Sequence, residues 1–375
     1  MSTVTSSTPP TPAVPSPSPP SSATGAPART ARIALLRWWP LALFGVLAVL
    51  PYGTVRVPGL LDGPVGSPGS LQLLALCLVF GGLATSYDLL LGRTGLLSFG
   101  HALYFAAGLY FTDLAMLEWR LPLASAALVG IGGAAVLSVL LGAVSLRVTG
   151  IGFAMVTLAF AQAGAILVQR NPGGVTGGEE GRAAPSDLLP GSLIGIENTP
   201  NLYWIALAYL ALTLAVVHWT SSSPTGRVWA GIRENERRVE VLGLRPYGFK
   251  LVALAVAGTL AGVGGVVYLL LTGGATPQAA GSDTTLSLLV MVVLGGSGTR
   301  WGPVLGGVLY TWAAHRLGDL ANSSAIADLP GVLRVPLSQP LFLLGSLFVG
   351  VVYLLPGGLA KLSSRWRPIR GGLTA

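Results

Sequence analysis

This chain has 375 residues, of which 52% are hydrophobic and only 10% charged, whereas soluble chains carry about 25% charged residues. Its net charge is +8 and its mean hydropathy +0.69. The charge would suggest a nucleic-acid partner in a soluble protein, but here it is better explained by membrane topology, and no nucleic-acid partner is expected. The single cysteine, Cys77, excludes a disulfide within the chain and any Cys-based metal site.

Several apolar runs exceed the roughly 20 residues needed to cross about 30 Å of hydrocarbon. They are continuous, unlike the short alternating segments of a β-barrel. The expected fold class is therefore all-α: a polytopic, multi-pass helical membrane protein. Residues 1–28 are mostly Pro, Ser, Thr and Ala without acid or base, and read as a disordered tail. They lack the charged and apolar regions of a signal peptide. A transmembrane domain is expected over 29–360. Its apolar segments are 33–52, 70–91, 95–116, 122–146, 150–169, 201–219, 250–272, 284–296, 302–316 and 339–355. The eighth would make only about 20 Å of helix, so it reads as broken or re-entrant, and eight to ten spans are expected.

With the N-terminus in the cytosol, all Lys and Arg fall inside except Arg56, Arg120, Arg170, Arg182, Arg316 and Arg334. That bias places both termini in the cytoplasm, with 361–375 as a basic cytoplasmic tail. The 170–200 loop then faces outward and the 220–250 loop faces the cytosol.

Gly226 to Gly243, GRVWAGIRENERRVEVLG, stands apart from the apolar runs. At helical spacing Val228, Ile232, Val239 and Leu242 share one face, interrupted by Asn235. Arg233, Glu234, Arg237, Arg238 and Glu240 lie opposite. Such a helix cannot span a bilayer. It lies on one, or docks on a soluble partner.

No motif for catalysis stands out. No Gly-rich phosphate loop with its Lys is present, and His101, His218 and His315 sit on separate segments. The chain is not expected to be an enzyme, and neither a cofactor nor a metal site is expected. What remains are Gly-rich breaks: Gly92 to Tyr110, Thr176 to Gly178, and Gly295 to Gly307. Broken backbone at membrane depth is tolerated where it is buried in protein or lines a cavity. Pathway lining and close helix packing are both open for the two long breaks; GTLAG, Gly258 to Gly262, reads as packing. Asp88, five residues before Arg93, reads as that arginine's ion-pair partner, and Asp113 as interfacial.

Ser223 to Gly265, SPTGRVWAGIRENERRVEVLGLRPYGFKLVALAVAGTLAGVGG, resembles the signature loop of branched-chain amino-acid ABC transporter permeases, the LivM-like branch. GLLSFGHALYFAAGLY, VTGIGFAMVTLAFAQ, VTGGEEG and MVVLGGSGTRWGPVLGG are similar to four further motifs of that family, in the same order. The family usually has Asn at Asp88 and often an aromatic at Arg93, a paired departure that suits a compensating ion pair.

The resemblance implies a pathway subunit of an importer in the plasma (inner) membrane of a prokaryote. Its partners would be a LivH-like second permease, two cytoplasmic ATPase subunits and an extracytoplasmic solute-binding protein, with membrane lipid around it. It implies that Gly226 to Gly243 is a coupling helix seated on one ATPase. Arg227, Ile232, Arg233, Glu234, Asn235, Glu236, Glu240, Leu242 and Gly243 are the expected coupling residues, with Ile232 and Leu242 seating its apolar face. Candidate pathway residues are Gly92, Gly95, Ser98, Gly100, His101, Thr157, Gln162, Thr176, Gly177, Gly178, Gly295, Gly296 and Gly298. The expected substrate is a small molecule, a branched-chain or related amino acid. The alternatives are an importer of urea or short amides, and a secondary transporter coupled to ions through Asp88 or Asp113.

Overall fold

The structure, a computed structural model, describes residues 42–56, 63–321, 339–354 and 357–360. The expected tails 1–28 and 361–375 lie outside the described residues. The chain divides after Leu47, and the described residues 42–47 of the first unit are helical. They open α1, Ala42–Tyr52. The helices that follow are α2, Pro68–Asp88, continued by a π-helical turn Leu89–Thr94; α3, His101–Trp119; α4, Leu123–Ser145; and α5, Ile151–Arg170. Next come α6, Thr199–Ser222; α7, Pro224–Val241; α8, Pro246–Thr272; α9, Ser282–Gly295; α10, Gly302–Ala321; and α11, Pro340–Leu354.

Each of the ten apolar segments coincides with one of these helices, the first described only from Ala42. Among the described residues, five helices are both long and apolar enough to cross a membrane: Pro68–Thr94, Leu123–Ser145, Ile151–Arg170, Ile196–Ser222 and Pro246–Thr272. The third segment begins later than expected, because Gly95 takes the left-handed conformation that closes the π-turn and the helix restarts only at His101. Proline in the first turn starts α2, α6, α7 and α8, where its missing N–H leaves nothing unsatisfied.

α2 packs against α6, α8, α9 and α10, and α3 against α4 and α8. The core between them includes Leu83, Tyr87, Leu90, Tyr104, Phe105, Leu109, Leu254, Leu269, Leu288 and Met291. Backbones approach closely where α3 meets α8: a Cβ on Gly108 would overlap the backbone of Gly262. Gly258 and Gly262 in turn admit Ser138 and Ala134 of α4, the packing role expected of GTLAG. α4 leaves Leu128, Val136, Leu140 and Val144 exposed, a surface suited to lipid. One two-residue antiparallel ladder joins β1, Arg182–Ala183, to β2, Gly274–Ala275. It ties the loop after α5 to the link between α8 and α9.

Candidate functional site

The charged segment forms α7, set against the end of the bundle where α2 finishes and α8 begins. Ser223 opens it as N-cap, accepting a hydrogen bond from the Gly226 N–H at 3.3 Å. The expected single helix is two. Asn235 leaves helical geometry at φ −161°, ψ 104°, and its Oδ1 accepts from the Arg238 N–H at 3.1 Å. The residue that interrupts the apolar face is thus the N-cap of a second short helix.

The buried face of α7 belongs to this chain's own body. Trp229, Ile232 and Val239 are buried, and the Trp229 Nε1–H donates to the Phe249 carbonyl at 2.8 Å. Ile232, expected to face a partner, is therefore covered already, while Leu242 stands exposed. Glu236 is also engaged, accepting from Lys250 Nζ at the start of α8. Arg227, Glu234, Asn235, Arg237, Arg238, Glu240, Leu242 and Gly243 form the exposed side.

Arg233 turns toward the bundle. Its Nη1 donates to the Gly92 carbonyl in the π-turn that ends α2. Its stem lies against Gly95, and its guanidinium against Gly298. Gly298 holds φ +75°, a conformation that disfavours a side chain, and its N–H donates to Asp88 Oδ1 at 2.8 Å. Gly92 packs so tightly that a Cβ would overlap both Asp88 and Gly298. Beyond Gly298, Gly296 packs on Gly357 and Gly358, while Gly295 packs on Gly302. Three chain segments thus meet at Arg233: α7, the end of α2, and the link between α9 and α10.

The expected Asp88–Arg93 ion pair is absent among the described residues. Asp88 instead accepts a backbone N–H, while the Arg93 and Arg233 charges lie near enough to act on it without direct contact.

The break before α3 gathers a second group. Phe99 N–H donates to Thr157 Oγ1 at 3.0 Å, Gly100 N–H to Ser98 Oγ at 3.3 Å, and Ala102 N–H to Thr285 Oγ1 at 3.1 Å. Side chains from α5 and α9 therefore satisfy N–H groups left free where a helix starts inside protein. His101 is buried, with Nε2 2.9 Å from Ser86 Oγ. Gln162 Nε2 donates to Ser282 Oγ at 3.0 Å, fixing the start of α9 to α5.

Thr176, Gly177 and Gly178 lie apart from both groups. Thr176 Oγ1 donates to Val168 O at 2.7 Å, and Asn171 Oδ1 accepts from the N–H groups of Thr176 and Gly177 at 2.7 and 3.2 Å. The candidate pathway residues thus fall into three clusters.

Trp229, Thr285 and Asn171 organise these clusters and were missed in the sequence. Asn171 had a signal: Asn followed by Pro closes a helix through a left-handed residue, here at φ +47°. Thr285 had none, because its partner is distant in sequence.

Long apolar helices, broken segments and one charged helix at the bundle end define a multi-pass integral membrane protein. The family model described as "Branched-chain amino acid transport system / permease component" matches residues 69–355, and the chain belongs to that family. It is 26% identical over 330 residues to the high-affinity branched-chain amino acid transport system permease protein LivM of Escherichia coli K12, covering 82% of this chain and 73% of that one. The LivM protein of Salmonella typhimurium is 27% identical over 336 residues, with the same coverage. A probable LivM permease of Methanocaldococcus jannaschii is 29% identical over 157 residues, 42% of this chain and 45% of its own.

Proposed function

We propose that this chain forms part of the translocation pathway of an ATP-driven importer for branched-chain or related amino acids. It works in the plasma (inner) membrane of a prokaryote, beside a LivH-like second permease. Two cytoplasmic ATPase subunits supply the energy, and an extracytoplasmic solute-binding protein delivers the substrate.

The observation that carries this reading is α7. It is anchored to the bundle by Trp229, Ile232, Val239 and Arg233, yet it presents Arg227, Glu234, Arg237, Arg238 and Glu240 outward. A charged, non-spanning element fastened to two spans suits a handle moved by a separate motor. Movement of the handle as a body shifts the ends of α2 and α8, the kind of packed-element shift that opens and closes a pathway.

The test is a single thiol. Cys77 is buried, so a Cys77→Ser background carrying Arg227→Cys reports α7 alone. An impermeant thiol reagent should modify inside-out vesicles stripped of the ATPase subunits. Adding the ATPases back should protect the thiol, and intact cells should not react. Modification on intact cells overturns the reading. ATP-independent uptake by the chain reconstituted alone also overturns it.

A further inference from the structure

Asp113 is a buried carboxylate to which the proposed function gives no task. It stands on α3, less than two turns before that helix ends at Trp119, and is 1% exposed. Neither of its oxygens has a hydrogen-bond partner, and the Tyr110 hydroxyl, one turn earlier, is also buried without one. A bare carboxylate inside protein is costly unless a cation or a donor meets it.

The cation nearby is Arg182, whose charge acts on Asp113 without bonding it. Arg182 belongs to β1 and pairs with Ala275 of β2. Both β2 and the turn Pro277–Ala280 that follows it pack on α3. Other groups hold the guanidinium. Its Nη1 donates to the Val175 carbonyl at 2.5 Å, and its Nη2 lies 3.7 Å from Glu118 Oε1. Glu118 is at the end of α3 and its side chain is 57% exposed, so water screens that pair. A second exposed pair, Arg120 with Asp187 at 2.7 Å, ties the same loop to the same helix end. One guanidinium thus has two carboxylates within range. It holds the exposed one; the buried one lies about 7.5 Å deeper along α3.

We propose that Arg182 is a latch with two seats. In the outer seat, the one in this structure, it rests on Glu118 and the Val175 carbonyl. In the inner seat it pairs with Asp113. The inner pair relieves the bare carboxylate but takes the guanidinium out of water, so neither seat wins outright. The move carries β1 inward, and the ladder takes β2, which leads into α9, along with it. The latch is a property of this chain alone, so it stands or falls apart from the importer reading.

The test measures where the loop sits. The full chain is studied in lipid nanodiscs, with any copurifying subunits left in place. In a Cys77→Ser background, Glu180→Cys on the loop and Leu128→Cys on α4 put nitroxide labels at two exposed positions. Double electron–electron resonance should give two distances, one for each seat. Glu118→Gln weakens the outer seat and should raise the inner population about two- to fivefold, the worth of one exposed ion pair. Asp113→Asn should remove that population, both alone and combined with Glu118→Gln. Arg182→Gln should remove it from the side of the loop. An Asp113 that served packing alone would change the melting midpoint and leave the distances as they were. Distances that ignore Glu118→Gln, or a second population that survives Asp113→Asn, overturn the latch.

Discussion

Asp88 sits where a membrane helix tolerates a carboxylate only with a partner, and that partner is the Gly298 N–H. An amide oxygen accepts the same bond, so Asp88→Asn should leave thermal stability nearly unchanged. Asp88→Ala removes the acceptor of the Gly298 N–H, a net loss of about 0.5–1.5 kcal/mol. A detergent melting series separates the two, and equal losses for both variants would discount the hydrogen bond. Asp113 presents the opposite case: it is buried, and neither carboxylate oxygen has a bonded partner. Asp113→Asn removes the charge at almost constant shape and should raise the melting midpoint. A lower midpoint would mean that the carboxylate is being stabilised by its surroundings. Arg233 bonds the Gly92 carbonyl and packs on Gly298, and one such bond at an exposed position is worth about 1.5 kcal/mol. In the proposed importer, Arg233→Ala should cut uptake roughly tenfold while ATP hydrolysis by the assembled complex persists, since about 1.4 kcal/mol is a factor of ten. If uptake and hydrolysis fall in step, Arg233 serves assembly and does not transmit motion.

α7 is the element that pattern reading caught and also simplified. Its charge and spacing identified it as a non-spanning helix, but side-chain pattern does not report φ and ψ at Asn235. A helix-face projection carried through Asn235 puts Leu242 with Ile232. The break at Asn235 turns the second half, and Leu242 ends exposed. The cap itself is testable. Asn235→Ala should destabilise the 236–241 turn by about 1 kcal/mol, while Asn235→Asp or Asn235→Ser largely preserves it. Amide exchange over Glu236 to Val241 measures the difference, and unchanged exchange in the alanine variant would rule out a capping role. α9 was legible for the opposite reason: its 14 residues give about 21 Å of helix, and the shortfall against a bilayer shows in length alone.

At the scale of the molecule, the apolar runs specified every helix but α7, because membrane spans are read from length and hydropathy, and both are local properties. Two of the three polar clusters were less legible. Thr285 and Ala102, Gly298 and Asp88, and Arg233 and Gly92 are pairs separated by more than a hundred residues. Their meeting depends on how the spans pack. The Asp88–Arg93 expectation was half met: the two charges act on each other, but the direct contact goes to the Gly298 N–H, a partner 210 residues away.

The contacts between α7 and α8 have a mechanical consequence. Trp229 holds the Phe249 carbonyl and Glu236 holds Lys250, so α7 is fastened to the first turn of α8 at two points. α8 has 27 residues, a rod of about 40 Å. Tilting such a rod by 10° about its near end sweeps the far end through roughly 7 Å. The far end is Thr272, immediately before β2, which is laddered to the loop that carries Arg182. In the proposed importer, a small displacement of α7 would thereby be geared up into ångström-scale travel at the opposite mouth of the bundle.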